Sequence, residues 1–82
     1  MAERKNIIGP KIREARLSEK PAATQQDISA RLAILNITLS ASSIGKIENG
    51  TRPVTDIQLL GFAKALKVTT AYLLDQELQY KM

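Results

Sequence analysis

The side chains of this chain best suited to chemistry on an anion lie in one short run, Ser40-Ala41-Ser42-Ser43, followed by Gly45 and Lys46. Ser40 is placed to cap a helix over Ala41–Glu48 with Ile44 and Ile47 turned inward, which leaves Ala41, Ser42, Gly45 and Lys46 as a slim, polar, exposed side. Free N–H groups and the positive dipole end at Ser40 suit a phosphate. Gln25, at the start of the preceding helix, adds an amide donor beside another set of free N–H groups. This is the chemistry of binding, not of bond-making. The chain has no Cys and no His, which removes a thiol nucleophile, a disulfide scaffold, a zinc finger and an imidazole base. Asp27, Glu48, Asp56, Asp75 and Glu77 form no evident close carboxylate pair, and no Gly-rich phosphate loop or nucleophile motif occurs. The expectation is a protein that is not an enzyme and needs no cofactor and no metal.

Five helical segments position these residues. Ile8 to about Leu17 has Ile12 and Ala15 on the face of Ile8, with Lys11, Arg13 and Glu14 toward water and Pro10 tolerated in the first turn. Ser18 to Ala23, containing Pro21, is a loop. Thr24 caps a helix to Leu35, with Asp27 completing a capping box. Its apolar line is Ile28, Leu32 and Leu35, and Gln25, Gln26 and Arg31 face outward. Asn36 is the expected left-handed terminator, and Ile37 to Leu39 an extended connection to Ser40. Asn49-Gly50 ends the third helix, and Thr51-Arg52-Pro53 continues as loop. A fourth helix from Val54 or Thr55 to Leu66 carries Ile57, Leu59, Leu60, Phe62, Ala63 and Leu66, a breadth that predicts a central helix touched by several others. Thr69 caps a fifth through about Glu77, with Tyr72, Leu73 and Leu74 for packing.

With 82 residues and 9.0 kDa, one modest core is possible and a Rossmann-sized sheet is not. The hydrophobic share of 44% is ordinary for a globular chain, but aromatics make up only 4%, so Leu, Ile and Ala must build the core. The boundaries predicted are a single domain over 7–78, with 1–6 and 79–82 as frayed ends. Twelve Lys and Arg against eight Asp and Glu give +4, and the first twenty residues hold six positive and three negative charges. That surplus favours an anionic partner, nucleic acid above all. The start of the chain lacks a signal-peptide pattern and no apolar run reaches about 18 residues, so the expected setting is cytoplasmic with no membrane contact.

A specific resemblance joins these features. Ile8-Gly9, Lys11-Ile12-Arg13-Glu14-Ala15-Arg16, Thr24-Gln25-Gln26-Asp27-Ile28-Ser29, the run Ser40 to Gly50, and Val54-Thr55-Asp56 through Val68 with Tyr72-Leu73-Leu74 together resemble the Cro and phage-repressor (lambda repressor-like) helix-turn-helix family. The strings Ile44-Gly45-Lys46-Ile47-Glu48-Asn49-Gly50 and Leu59 to Leu66 are specific in combination. The chain departs from the usual pattern in a longer second helix and turn, with Asn36 where the family has Gly, and in a longer loop before Thr24. It also departs in having Ala41 and Ser42 where many members hold Gln or Arg.

The resemblance implies an all-α, compact bundle of five short helices containing a helix-turn-helix. It also implies a transcriptional regulator, expected to repress, that binds double-stranded DNA at a palindromic operator as a homodimer. DNA contacts would fall on Gln25, Gln26, Ser40, Ala41, Ser42, Ser43, Lys46, Asn49, Thr51 and Arg52. Among these, Gln25 clamps a phosphate, and Ala41, Ser42 and Lys46 face base edges, where Lys46 reaches guanine or a phosphate. Asn49, Thr51 and Arg52 follow the backbone. Arg16 and Glu48 match a pair that ties the first helix to the end of the recognition helix. The dimer contact is expected around the fifth helix, Tyr72, Leu73, Leu74 and Leu78, with the loop near Thr51 to Val54. The alternative is a protein-interaction module of the same fold, such as an antitoxin or antirepressor partner.

Overall fold

The computed structural model describes residues 3–75 and contains five α-helices. These are α1 (Gly9–Ser18), α2 (Gln25–Ile34), α3 (Ala41–Glu48), α4 (Asp56–Leu66) and α5 (Thr70–Leu74), with no strand among the described residues. The starts follow the local chemistry of the sequence. Thr24, Ser40, Thr55 and Thr69 each accept the backbone N–H of the residue three positions on, at 3.0 to 3.1 Å, which satisfies one donor that the helix leaves open. Asp27 and Gln58 return the bond to the Thr24 and Thr55 N–H groups and complete two capping boxes. α2 ends as expected, with Asn36 left-handed at φ 64°, and Gly50 takes φ 87° after α3.

α5 is shorter than predicted. Asp75 turns left-handed at φ 54° and stops the helix after Leu74, while Glu77, Leu78 and the 79–82 end lie outside the described residues.

The core is Ile12, Ile28, Leu32, Ile44, Ile47, Phe62 and Leu73, all fully buried, ringed by Ile8, Ala15, Ala23, Leu39, Ala63, Ala65 and Leu66. A radius of gyration of 12.2 Å matches the ~12 Å of a compact chain of this length. α4 packs on α1, α2 and α5, so it is central as predicted. Its apolar face is divided, however. Phe62, Ala63, Ala65 and Leu66 enter the core, whereas Ile57 is 69% and Leu60 50% exposed. The reason is Gly61, where a Cβ would collide with Ile37 Cδ1 and come within 3.2 Å of Leu32 Cδ2. α4 therefore lies hard against α2 along that edge, and the Ile57–Leu60 edge is left outward.

Two further expectations are corrected. Leu35 is at the rim of the apolar line of α2 and not inside it, and Ile34 stands 81% exposed beside it. Arg31 does not face outward freely. Its guanidinium donates to both Glu19 carboxylate oxygens, at 2.8 and 2.9 Å, and to the Ala65 carbonyl at 3.1 Å, joining the α1 exit to the end of α4.

Candidate nucleic-acid interface

α3 presents two unlike faces. Ile44 and Ile47 are sealed in the core, and on the opposite side Ser42 and Lys46, one turn apart, are exposed, with Ala41 and Gly45 half-buried beside them. Ser43 is half-buried and the Ser40 hydroxyl donates to its oxygen at 3.1 Å while accepting its N–H, so Ser40 and Ser43 are occupied chiefly with starting the helix. The connection from α2 is held by the Ser29 hydroxyl, which donates to the Leu39 carbonyl at 2.6 Å and fixes where Ser40 begins α3.

The far end of α3 is clamped through Glu48. Its carboxylate accepts Arg16 Nε at 2.8 Å and Nη2 at 2.9 Å, a two-pronged ion pair in which both residues are 8% exposed. The bond to Glu48 holds the Arg16 guanidinium pKa above its ordinary value, against the opposing effect of burial. Arg16 Nη1 also donates to the Ala23 carbonyl at 3.0 Å, which anchors the loop ahead of α2. The expected pair is thus present and links three segments.

Gln25, expected to face outward, does so only in part. It is half-buried and its Nε2 donates to Glu48 Oε1 at 3.2 Å, with the amide lying over Gly45. A Cβ at position 45 would meet the amide at 3.4 Å, an ordinary contact distance, so the two lie close together. An amide nitrogen carries two hydrogens, so one donor remains for an anion. Gln26 beside it is exposed. Arg13, Gln25, Gly45, Glu48 and Asn49 line a hollow of about 330 Å³ where α1, α2 and α3 meet.

The exit loop is braced from within. Asn49 Oδ1 accepts the Thr51 N–H at 3.1 Å and the Thr51 hydroxyl at 2.8 Å, so these two polar side chains shape the turn, and Arg52 follows half-buried. Sequence reasoning missed the chain that holds this loop. Arg4 to Asn6 are not frayed as the 1–6 boundary predicted. Asn6 Nδ2 donates to the carbonyls of Ile47 at 3.0 Å and Arg52 at 2.8 Å, while its Oδ1 accepts the Gly9 N–H at 2.8 Å and caps α1. The Lys5 N–H donates to the Gly50 carbonyl at 2.8 Å, and Arg4 Nη2 to the Glu48 carbonyl at 3.1 Å, where a cation suits a helix C-terminus. Gly9 permits this approach, because a Cβ there would collide with the Ile47 carbonyl oxygen. The only available signal was Asn6 three positions before Gly9, the spacing of a helix cap.

The structure thus gathers Gln25, Lys46, Asn49, Thr51 and Arg52 around the clamped end of α3, with Ser40, Ala41 and Ser42 at its start. Comparison with protein-family models, with characterised proteins and with solved structures gives no match. Among the described residues no helix is long and apolar enough to cross a membrane.

Proposed function

We propose that this chain is a lambda repressor-like helix-turn-helix protein that binds double-stranded DNA through α3 and regulates transcription, as a repressor acting by occupancy of a palindromic operator. The observation that carries this reading is the short helix α3, slim and polar on its outer side, buried on its inner side and clamped at its exit to α1 and α2 by Glu48. A helix so presented fits a major groove about 12 Å wide. Ser42 and Lys46 share the outer face and suit base edges, and Ala41 offers a methyl contact to thymine. The remaining Gln25 donor, Gln26, Ser43, Asn49, Thr51 and Arg52 suit the phosphate backbone on either side. No cofactor or metal enters this mechanism.

One such helix reads only a few base pairs, so two copies on half-sites about one helical turn apart are required for a specific site. Selection of bound sequences from random duplex DNA, repeated at several salt concentrations, tests the reading. A recovered inverted repeat and a log-linear loss of affinity with salt are the expected result. Recovery of no sequence, with no salt-dependent binding, would leave the protein-interaction module in its place.

A further inference from the structure

Of the apolar side chains expected to pair two copies, only Leu73 is fully spent in the core, Tyr72 and Leu74 are half-buried, and Leu78 lies outside the described residues. Leu73 of α5 is 0% exposed, and Tyr72 is half-buried with the Lys11 ammonium 5.1 Å from its ring centre. Large apolar side chains stand exposed at Ile34 (81%), Leu35 (38%), Ile57 (69%) and Leu60 (50%), besides Ile7 (56%) and Leu17 (44%). Leu35, Ile57 and Leu60 line one groove with Asn36, Ile37, Gly61 and Lys64. Together Ile34, Leu35, Ile57 and Leu60 present on the order of 400 Å² of apolar surface, comparable with the largest apolar patch of a typical monomer, which is often functional.

The charges at this face are arranged for a copy of itself. Asp56, Ile57, Leu60 and Lys64 fall within one stripe of about 100° on α4, and all four are exposed. Leu60 stands midway between Asp56 and Lys64, and neither charge has an ion-pair partner among the described residues. A two-fold axis through Leu60 sets α4 antiparallel to its mate, places Leu60 on Leu60 of the second copy, and brings each Asp56 to the other copy's Lys64, about two turns along the helix. We infer that the Asp56–Lys64 stripe of α4, flanked by Ile34 and Leu35, is a homodimer interface whose partner is a second copy of this chain. The apolar area is well below the ~800 Å² that each partner gives to a standard interface, so the dimer is weak in solution and DNA reinforces it by holding both copies. Its role on an operator rests on the proposed DNA-binding function, but the pairing itself does not.

Sedimentation equilibrium of the full chain between roughly 1 μM and 1 mM reads the pairing directly. The expected mass rises from one chain toward two. Leu60→Asp should remain monomeric across the range. Asp56→Lys or Lys64→Asp alone should weaken association by about fivefold or more, and the double exchange should restore it. Melting curves check that each variant is folded, and if Leu60→Asp is not, the charge exchange alone decides. The interface is overturned if the wild-type chain stays monomeric, if Leu60→Asp pairs like wild type, or if the double exchange fails to recover association. Leu60→Asp on a duplex with one half-site separates the two proposals: binding retained with loss of cooperative filling of the full site supports both. Absence of DNA binding in a wild-type chain that still dimerises removes the DNA reading and leaves the interface.

Discussion

Arg16 and Glu48 meet in a two-pronged ion pair, at 2.8 and 2.9 Å, that is almost sealed from water and joins the middle of the bundle to the end of α3. Taking both charges out of water offsets most of their attraction, so the pair fixes orientation more than it adds net stability. The asymmetry appears on removing one partner. Glu48→Ala leaves a buried guanidinium uncompensated and should cost about 3 kcal/mol in urea unfolding. Arg16→Met with Glu48→Leu should lie much closer to wild type, and a double variant as unstable as the single one would contradict this account.

Asn6 should matter out of proportion to its place near the start of the chain. Asn6→Ala removes two donations to carbonyls at the α3 exit and the cap of α1, for an expected loss of about 2 kcal/mol. Asn6→Asp keeps the cap but turns a carboxylate on two carbonyl oxygens, and should also destabilise. Amide exchange separates the two effects: the Gly9 N–H should lose protection in Asn6→Ala and keep it in Asn6→Asp.

Lys46 is exposed one turn beyond Ser42 on the outer face of α3. If it reads a guanine, Lys46→Ala should flatten preference at one base pair per half-site, by roughly 1–3 kcal/mol of discrimination. A uniform drop on all sequences, with a salt slope smaller by about one, identifies a phosphate contact and rules out base reading.

Acid should weaken the fold through two carboxylates at its surface. The hydrogen bond from Arg31 holds Glu19 below its ordinary 4.5, and the bond from the Thr24 backbone holds Asp27 below 3.8. Both folded-state values are depressed, so between them and the ordinary values the unfolded chain binds more protons. Their contribution is present above pH 4.5 and is lost as pH falls through the depressed values. Glu19→Gln should make acid unfolding less steep in this window when followed by circular dichroism. An unchanged profile would mean that the Arg31 bridge is already exchanged for water in solution.

The parts of the fold that were legible in the sequence are those whose partners are three or four residues apart. Thr24 with Asp27, Ser40 with Ser43, Thr69 with Tyr72, and the left-handed Asn36 follow from backbone donors and φ preferences that act locally. The Arg16–Glu48 pair was anticipated through the family resemblance and not from spacing. Tertiary structure alone decided that Asn6 clasps carbonyls at Ile47 and Arg52, that Gln25 gives one donor to Glu48, and that Arg31 reaches Glu19 and Ala65. It also decided which apolar residues of α4 are buried. Periodicity marks Ile57, Leu60, Phe62 and Leu66 as apolar alike, but a helix has only as much inner face as its neighbours cover. The contact of Gly61 with Ile37 and Leu32 sets where α2 covers α4, and so leaves Ile57 and Leu60 facing solvent.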